Sequence, residues 1–285
     1  ALAVGQLCIG DISFPHRDVV IKGFLEVAED IKEVELHLTM GEALVYSVLG
    51  PLSSMGRDLW STSEEDFVPC AEKTTSDAQM EWVLQDLMGK YMVSTHPNVK
   101  QGSCIFLLAL LQHGRNHEKV KNKLLEIQDS FMGVLGDNND MVQDAASKGL
   151  GEVYDTCTEE QRDEMVGSLL QTLMEGKRRV IQVTGDTKIF EEGQLGKEPS
   201  SSGGGYLPTY KELCSLASDL NQPDLVYKFM NLANNNAMWN SKRGAAFGFG
   251  TIAARAGEQL EPHLPKIIPK LYRYQFDPTP KIQQS

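Results

Sequence analysis

Adjacent apolar couples recur four residues apart along most of this chain, and that spacing suits helices and little else. Val83/Leu84, Leu87/Met88 and Tyr91/Met92 make one run; Met165/Val166, Leu169/Leu170 and Leu173/Met174 make a second. Leu225/Val226 with Phe229/Met230 make a third, and Leu264, Ile267/Ile268 and Leu271/Tyr272 a fourth. At 3.6 residues per turn, positions i, i+1, i+4 and i+5 share one side of a helix and give it a wide apolar stripe. A lone helix leaves that stripe wet, whereas a stack lets each helix cover the next. The spacing predicts an array of packed helices, an architecture that commonly holds other proteins.

Proline, glycine and short polar clusters cut the chain into helical lengths. They predict helices over 1–10, 16–30, 35–49, 78–93, 97–113, 117–135, 138–156, 159–175, 208–220, 223–235, 239–256 and 261–274, with another opening at Asp277–Pro278. No stretch alternates with period two, so strands are not expected. Thr158 with Gln161 and Ser76 with Gln79 have the spacing of a capping box. Pro97, Pro223 and Pro278 sit where a first helical turn tolerates a missing N–H.

A finer signature marks the second helix of each pair. Pro97-Asn98-Val99-Lys100-Gln101-Gly102-Ser103 aligns with Asn139 to Ala146, and Val99 stands 43 residues before Val142. That matches the roughly 40–47-residue period of HEAT-type units. Asn240 to Ala246 and Asp277 to Gln283 read as two more openings, and the small residues in each let neighbouring helices approach. The expected fold is all-α, a HEAT/armadillo-like α-solenoid of antiparallel helix pairs. Repeats should occupy 1–50, 78–175 and 208–285, separated by an extended loop over 51–77 and a flexible loop over 176–207. Val180 to Val183 could add one short strand.

The 27 basic and 39 acidic residues give a net charge of −12, which argues against a duplex nucleic-acid surface and leaves a basic protein partner open. Cysteines 8, 70, 104, 157 and 214 form no CxxC pair, and their spacing predicts reduced thiols in the cytosol or nucleus. The apolar run from Cys104 to Leu111 is too short to span a bilayer. Ala1 to Gly10 lacks the basic lead-in of a signal peptide. A start without Met and an end just past a helix opening suggest a piece of something longer.

Chemical motifs are sparse, and each has a structural reading. Gly248-Phe249-Gly250-Thr251-Ile252-Ala253 fits a dinucleotide fingerprint on paper, but it falls inside a helix with no strand before it, so close helix packing is expected. Asp137 to Asp140 begins like a calcium loop, yet Val142 and Lys148 stand where Gly and Glu are needed; a turn and cap is expected. Gly203-Gly204-Gly205 lacks the Lys-Ser/Thr of a phosphate cradle. His113 and His117 fall in a turn and lack a completing ligand set. No nucleophile context is recognisable, so neither enzyme activity nor a cofactor or metal is expected. Lys177, Arg178 and Arg179 read either as a basic handle for a partner or as a helix end complementing its own dipole. Trp60 and Phe67, large aromatics in a polar loop, read as partner anchors or as side chains folded back onto the solenoid.

The C-terminal third carries a closer resemblance. Tyr210 to Leu220, Gln222 to Ala233, Ala237 to Ser241 with Gly244 to Phe249, and Leu271 to Pro278 are similar to the proteasome adapter and scaffold family, very large HEAT-repeat proteins. The segment Val183 to Thr187 and the glycine-rich loop fit that arrangement, and the N-terminal half fits by architecture. The resemblance implies a non-enzymatic scaffold that bridges the proteasome core and regulatory particles and takes part in assembly quality control. It also implies endosomal, endoplasmic-reticulum and motor-protein partners, and a cytoplasmic and nuclear location with association to those membranes through partners. The alternative from the residues alone is a transport solenoid that binds cargo as importins do.

Overall fold

The computed structural model describes residues 1–10, 14–50, 73–94, 96–137, 139–176, 210–277 and 283–284, and every regular element among them is helical. In chain order these are α1 (Leu2–Gly10), α2 (Arg17–Val27), α3 (Val34–Leu49), α4 (Lys73–Asp86), α5 (Pro97–Gly114), α6 (Glu118–Asn122) and α7 (Leu124–Val134). They continue with α8 (Asp140–Thr156), α9 (Glu159–Glu175), α10 (Tyr210–Asp219), α11 (Asp224–Ile252), α12 (Gly257–Leu260) and α13 (Leu264–Tyr274). The fold is an all-α solenoid. Helix α1 packs on α3, then α3 on α5, α5 on α8 and α8 on α11, forming one continuous row; α2, α7 and α9 back α3, α8 and α11.

The apolar couples do the work expected of them in two of the four runs. Val83, Leu84 and Leu87 are fully buried, as are Met165, Val166, Leu169 and Leu173, and all join one core cluster that runs from Ile21 to Tyr274. The third run differs. Leu225, Val226, Phe229 and Met230 are only half-buried, because this end of α11 packs on α10 and stands apart from the main core.

Several boundaries move for local reasons. Helix α4 starts at Lys73 rather than 78, since no Gly or Pro interrupts 73–77. Ser76 therefore lies inside the helix, and the amide Nε2 of Gln79 donates to Asp18 Oδ1 at 3.1 Å in place of a capping box. The helix ends in a π turn over Leu87–Tyr91, where the Met92 N–H donates to the Leu87 carbonyl at 2.8 Å. The segment expected as one helix over 117–135 breaks at Lys123, whose N–H closes on the Val120 carbonyl. The helices expected over 223–235 and 239–256 are one 29-residue helix, about 43 Å long. Asn234, Asn235 and Asn236 cost the helix only a few tenths of a kcal/mol each, roughly, and none removes a backbone donor. The Thr158–Gln161 capping box and Pro97 in the first turn form as the spacing predicts. Pro223 is itself the N-cap of α11.

The long helix crosses the α7–α8 turn at very short range. A side chain on Gly244 would meet the Gly136 nitrogen at 2.7 Å, and one on Gly136 would collide with the Asn240 carbonyl.

One register position recurs along the row. Four residues past the N-caps Glu33, His96 and Asn139 come His37, Lys100 and Gln143, all buried. Arg243 precedes Ala245 just as Gln143 precedes Ala145. Each satisfies groups at a turn. His37 Nε2 meets the Ala28 carbonyl at 3.3 Å, and Gln143 Nε2 donates to the Leu135 carbonyl at 2.8 Å. Lys100 reaches forward to Asp137 of the next repeat at 2.8 Å, and Arg243 to Asp277 at 3.2 Å. Neighbouring repeats are thus tied by buried ion pairs as well as by apolar area.

Gly244→Ala should lower stability by about 1–3 kcal/mol, because the added methyl has backbone in its way. Gly133→Ala, on an exposed helical position with open space around it, should raise stability by about 0.5–1 kcal/mol. Denaturant midpoints of the two variants separate these effects. Asp137→Ala should cost about 3–5 kcal/mol by removing the carboxylate that pairs with the buried Lys100 ammonium at 2.8 Å, and adding Lys100→Met should recover a large part of that loss in the same assay.

Candidate protein-interaction surfaces

The residues singled out as partner anchors, Trp60, Phe67, Lys177, Arg178 and Arg179, lie outside the described residues, as do Cys70, Val180 to Val183 and Gly203 to Gly205. The described residues just before two of these stretches end in glycine. Gly50 (φ 53°) follows α3 with its N–H donating to the Tyr46 carbonyl; Gly176 (φ 78°) follows α9 with its N–H donating to Thr172. Positive φ at a helix end is where glycine avoids the clash a Cβ would cause, so α3 and α9 both end on glycine. Beneath Gly50, buried Arg17 donates from Nη2 to the Val48 carbonyl at 2.7 Å and from Nε to the Ser47 carbonyl at 2.5 Å. The guanidinium closes the open carbonyl end of α3, and burial pulls its pKa down.

Gly248 and Asn139 take the packing and cap roles expected of them; of the two histidines expected in a turn, His113 instead lies inside α5, in its last helical turn, and His117 caps α6. Gly248 lies within α11, where an added side chain would meet Leu169, Leu135 and Leu150 at 3.0 to 3.3 Å. Asn139 Oδ1 caps α8 by accepting from the Met141 and Val142 N–H groups, at 2.9 and 3.4 Å. His113 and His117 have separate surroundings. His117 caps α6 through Nδ1, which accepts from the Lys119 N–H at 3.2 Å, while its Nε2 lies 3.2 Å from Asp77. Burial lowers the pKa of both. Cys8, Cys104 and Cys157 are buried thiols, and burial pushes the Cys104 and Cys157 thiols up, away from the reactive thiolate.

Two surface features stand out near the C-terminal end. Helix α13 splits its apolar stripe: Ile267 and Tyr274 are buried, while Ile268, Tyr272 and Phe276 just beyond the helix are 58%, 64% and 70% exposed. Tyr272 and Phe276 meet edge to face at 5.9 Å, and Trp239 lies 6.1 Å from the Tyr274 ring. The couplet pattern marked Ile267, Ile268 and Tyr272, but not Tyr274 or Phe276, and it could not say which half of each couple faces inward.

The second feature is a cleft of about 490 Å³ between the start of α9 and residues 258–263, lined by Glu159, Asp163, Val166, Glu258, Gln259, Pro262 and His263. Its walls are braced by Tyr154, whose hydroxyl donates toward Gln259 Oε1 at 2.9 Å and the Arg255 carbonyl at 3.3 Å. Burial raises the Tyr154 pKa and keeps it a donor. The nearby arginines are engaged elsewhere. Arg162 lies over the Tyr154 ring at 5.1 Å and donates to the Tyr154 carbonyl, and Arg255 pairs with Asp155 at 3.2 Å. Three carboxylates therefore face the cleft, a lining that suits a cationic side chain.

Among known proteins, the chain is 49% identical over 282 residues to the proteasome adapter and scaffold protein ECM29 of Homo sapiens, matching 99% of this chain and 15% of that protein. It is 42% identical over 286 residues to the proteasome-associated protein ECM29 homolog of Drosophila melanogaster, matching 100% of this chain and 14% of the relative. With the proteasome component ECM29 of Saccharomyces cerevisiae it shares 36% identity over 206 residues, 67% of this chain and 11% of the relative. The chain spans at most 15% of the length of these relatives. No family model and no solved structure matches it.

Tyr154→Phe should cost about 1 kcal/mol through the lost hydrogen bonds. It should also speed amide exchange at 256–263 relative to α8, as hydrogen-exchange mass spectrometry would read.

Proposed function

The chain belongs to the ECM29 family, and from that premise we propose that it serves in a non-enzymatic scaffold that binds the proteasome. In this reading it helps join the core and regulatory particles and takes part in quality control of their assembly. The observation that carries the proposal is the 49% identity, along 99% of the chain, to a human protein named as a proteasome adapter and scaffold. The same likeness weighs against a cargo-carrying transport solenoid.

The fold supplies a mechanism. A row of helices tied by the Lys100–Asp137 and Arg243–Asp277 pairs holds separate patches at fixed spacing. Weak contacts on one stiff frame then add through effective concentration, and a frame that touches two particles favours their association by mass action. The handles in this reading are the stretches 51–77 and 176–207, with Trp60, Phe67, Lys177, Arg178 and Arg179 as contacts. Endosomal, endoplasmic-reticulum and motor proteins are further partners, and the cytoplasm and nucleus are the places of action.

Capture of proteasomes on the immobilised protein tests this, with core peptidase activity and regulatory subunits both measured in the eluate. Excising 51–72 or 177–207, which spares the helical residues 73–77, should reduce capture several-fold. Undiminished capture by both excised forms would remove the loops as handles, and no capture by the intact protein would remove the proteasome reading.

A further inference from the structure

A buried polar chain crosses three successive repeats, and its hydrogen bonds have only one workable direction. Asn139 Oδ1 is committed as acceptor, because it caps α8 at the Met141 and Val142 N–H groups. Its Nδ2 must therefore donate, and it does so to Gln101 Oε1 at 3.0 Å. Gln101 Nε2 is then left to donate to His37 Nδ1 at 3.1 Å. An imidazole whose Nδ1 accepts carries its proton on Nε2, and that N–H donates to the Ala28 carbonyl at the end of α2, 3.3 Å away. The helix cap on the third repeat thus sets the tautomer of a histidine on the first.

His37 is 0% exposed. The edge of Phe106 and the backbone of Gly102 on α5 close over it, at 6.2 Å between ring centres and 3.1 Å from where a Gly102 Cβ would stand. Among the described groups around it, the Ala28 carbonyl at the end of α2 and, less strongly, Glu33 at the start of its own helix act to favour the charged form. Lys100, the neighbour of Gln101 on α5, sends its ammonium to Asp137 instead, and α2 presents the Ala28 carbonyl.

We propose that His37 is an acid-sensitive pin: its neutral Nε2–H form locks the first three repeats together, and protonation releases them. A proton on Nδ1 sets two donors face to face at Gln101. Rotating the Gln101 amide moves the conflict to Asn139, and rotating Asn139 moves it to the cap of α8. No arrangement of the chain satisfies every donor.

The sign follows from burial, which outweighs both the hydrogen bond to the Ala28 carbonyl and the charge of Glu33 and lowers the His37 pKa below the ordinary 6.5. The unfolded or released state then binds the proton more readily. The lock is fully present above 6.5 and is lost as pH falls from there through the lowered value.

The test uses the chain labelled with 15N-histidine. Long-range 1H–15N spectra near neutral pH should show His37 protonated on Nε2 alone, with a midpoint below 6.5. A proton on Nδ1, or a midpoint at or above 6.5, overturns the proposal. Hydrogen exchange, corrected for intrinsic rates, should accelerate at α3, at α5 and at the first turn of α8 as pH drops through that midpoint. The acceleration should be roughly tenfold for each unit by which the pKa is lowered. Amides of α9 serve as the reference, so that titration of His113 and His117 is not mistaken for release. Equal acceleration throughout the chain argues against a local pin. Gln101→Glu offers only acceptors, so it should pair with the imidazolium, raise the midpoint and remove the acid step. An unmoved midpoint in that variant overturns the proposal as well.

Discussion

Each helix in this chain carries an apolar stripe too wide to hide against a single neighbour, and that one constraint organises the molecule. Val83 and Leu84 become dry where α4 packs on α3 and α6, and Leu87 where the π turn meets α5; Val142 and Leu150 become dry on a helix set among α5, α7 and α11. Burial at about 25 cal/mol per Å² of apolar surface is non-directional, so it favours stacking without choosing a register. The row from α3 through α5 and α8 to α11 is the consequence. Any surface at its ends remains partly apolar, as Ile268, Tyr272 and Phe276 are.

Register comes from the polar groups. Buried side chains four residues into α3, α5 and α8, and Arg243 far along α11, reach turn carbonyls and carboxylates, in the same repeat or the next, and a slip along the helix would break each of these contacts. Such an orphan costs about 1–3 kcal/mol when neutral and more when charged. Lys100 with Asp137, Arg243 with Asp277, and the His37–Gln101–Asn139 chain therefore do what leucine cannot: they select one alignment among many that would be equally dry. A scaffold needs that selection, because contacts spaced along a frame add only if the spacing is held.

The helical class and the openings at Pro97 and Asn139, 43 residues apart by Val99 and Val142, were legible because they depend on spacing alone, and spacing survives in a string of letters; the opening expected at Asn240 lies inside α11, and Pro278 to Ile282 lie outside the described residues. The capping box at Thr158 and the packing role of Gly248 were legible for the same reason. The single 29-residue helix was not, since three asparagines resemble a break until flanking packing carries the helix through them. Nor was the start of α4 at Lys73, where a Ser–Gln spacing suggested a cap that the backbone had already passed. Of the surfaces, the couplets flagged α13, but the acidic cleft brings Glu159 and Asp163 together with Glu258 across nearly a hundred residues, and no local pattern signals that.

The amino-acid sequence by itself determined that the chain is helical, repetitive and acidic, and which residues would be offered to a core. Only the tertiary structure decided which half of each apolar couple faces inward, which turn Lys100 and Arg243 reach, and which way protons point from Asn139 back to His37. The reason is physical: periodicity is a property of neighbours along the chain. Hydrogen-bond direction and the sidedness of burial are set by groups that meet only after the helices have stacked.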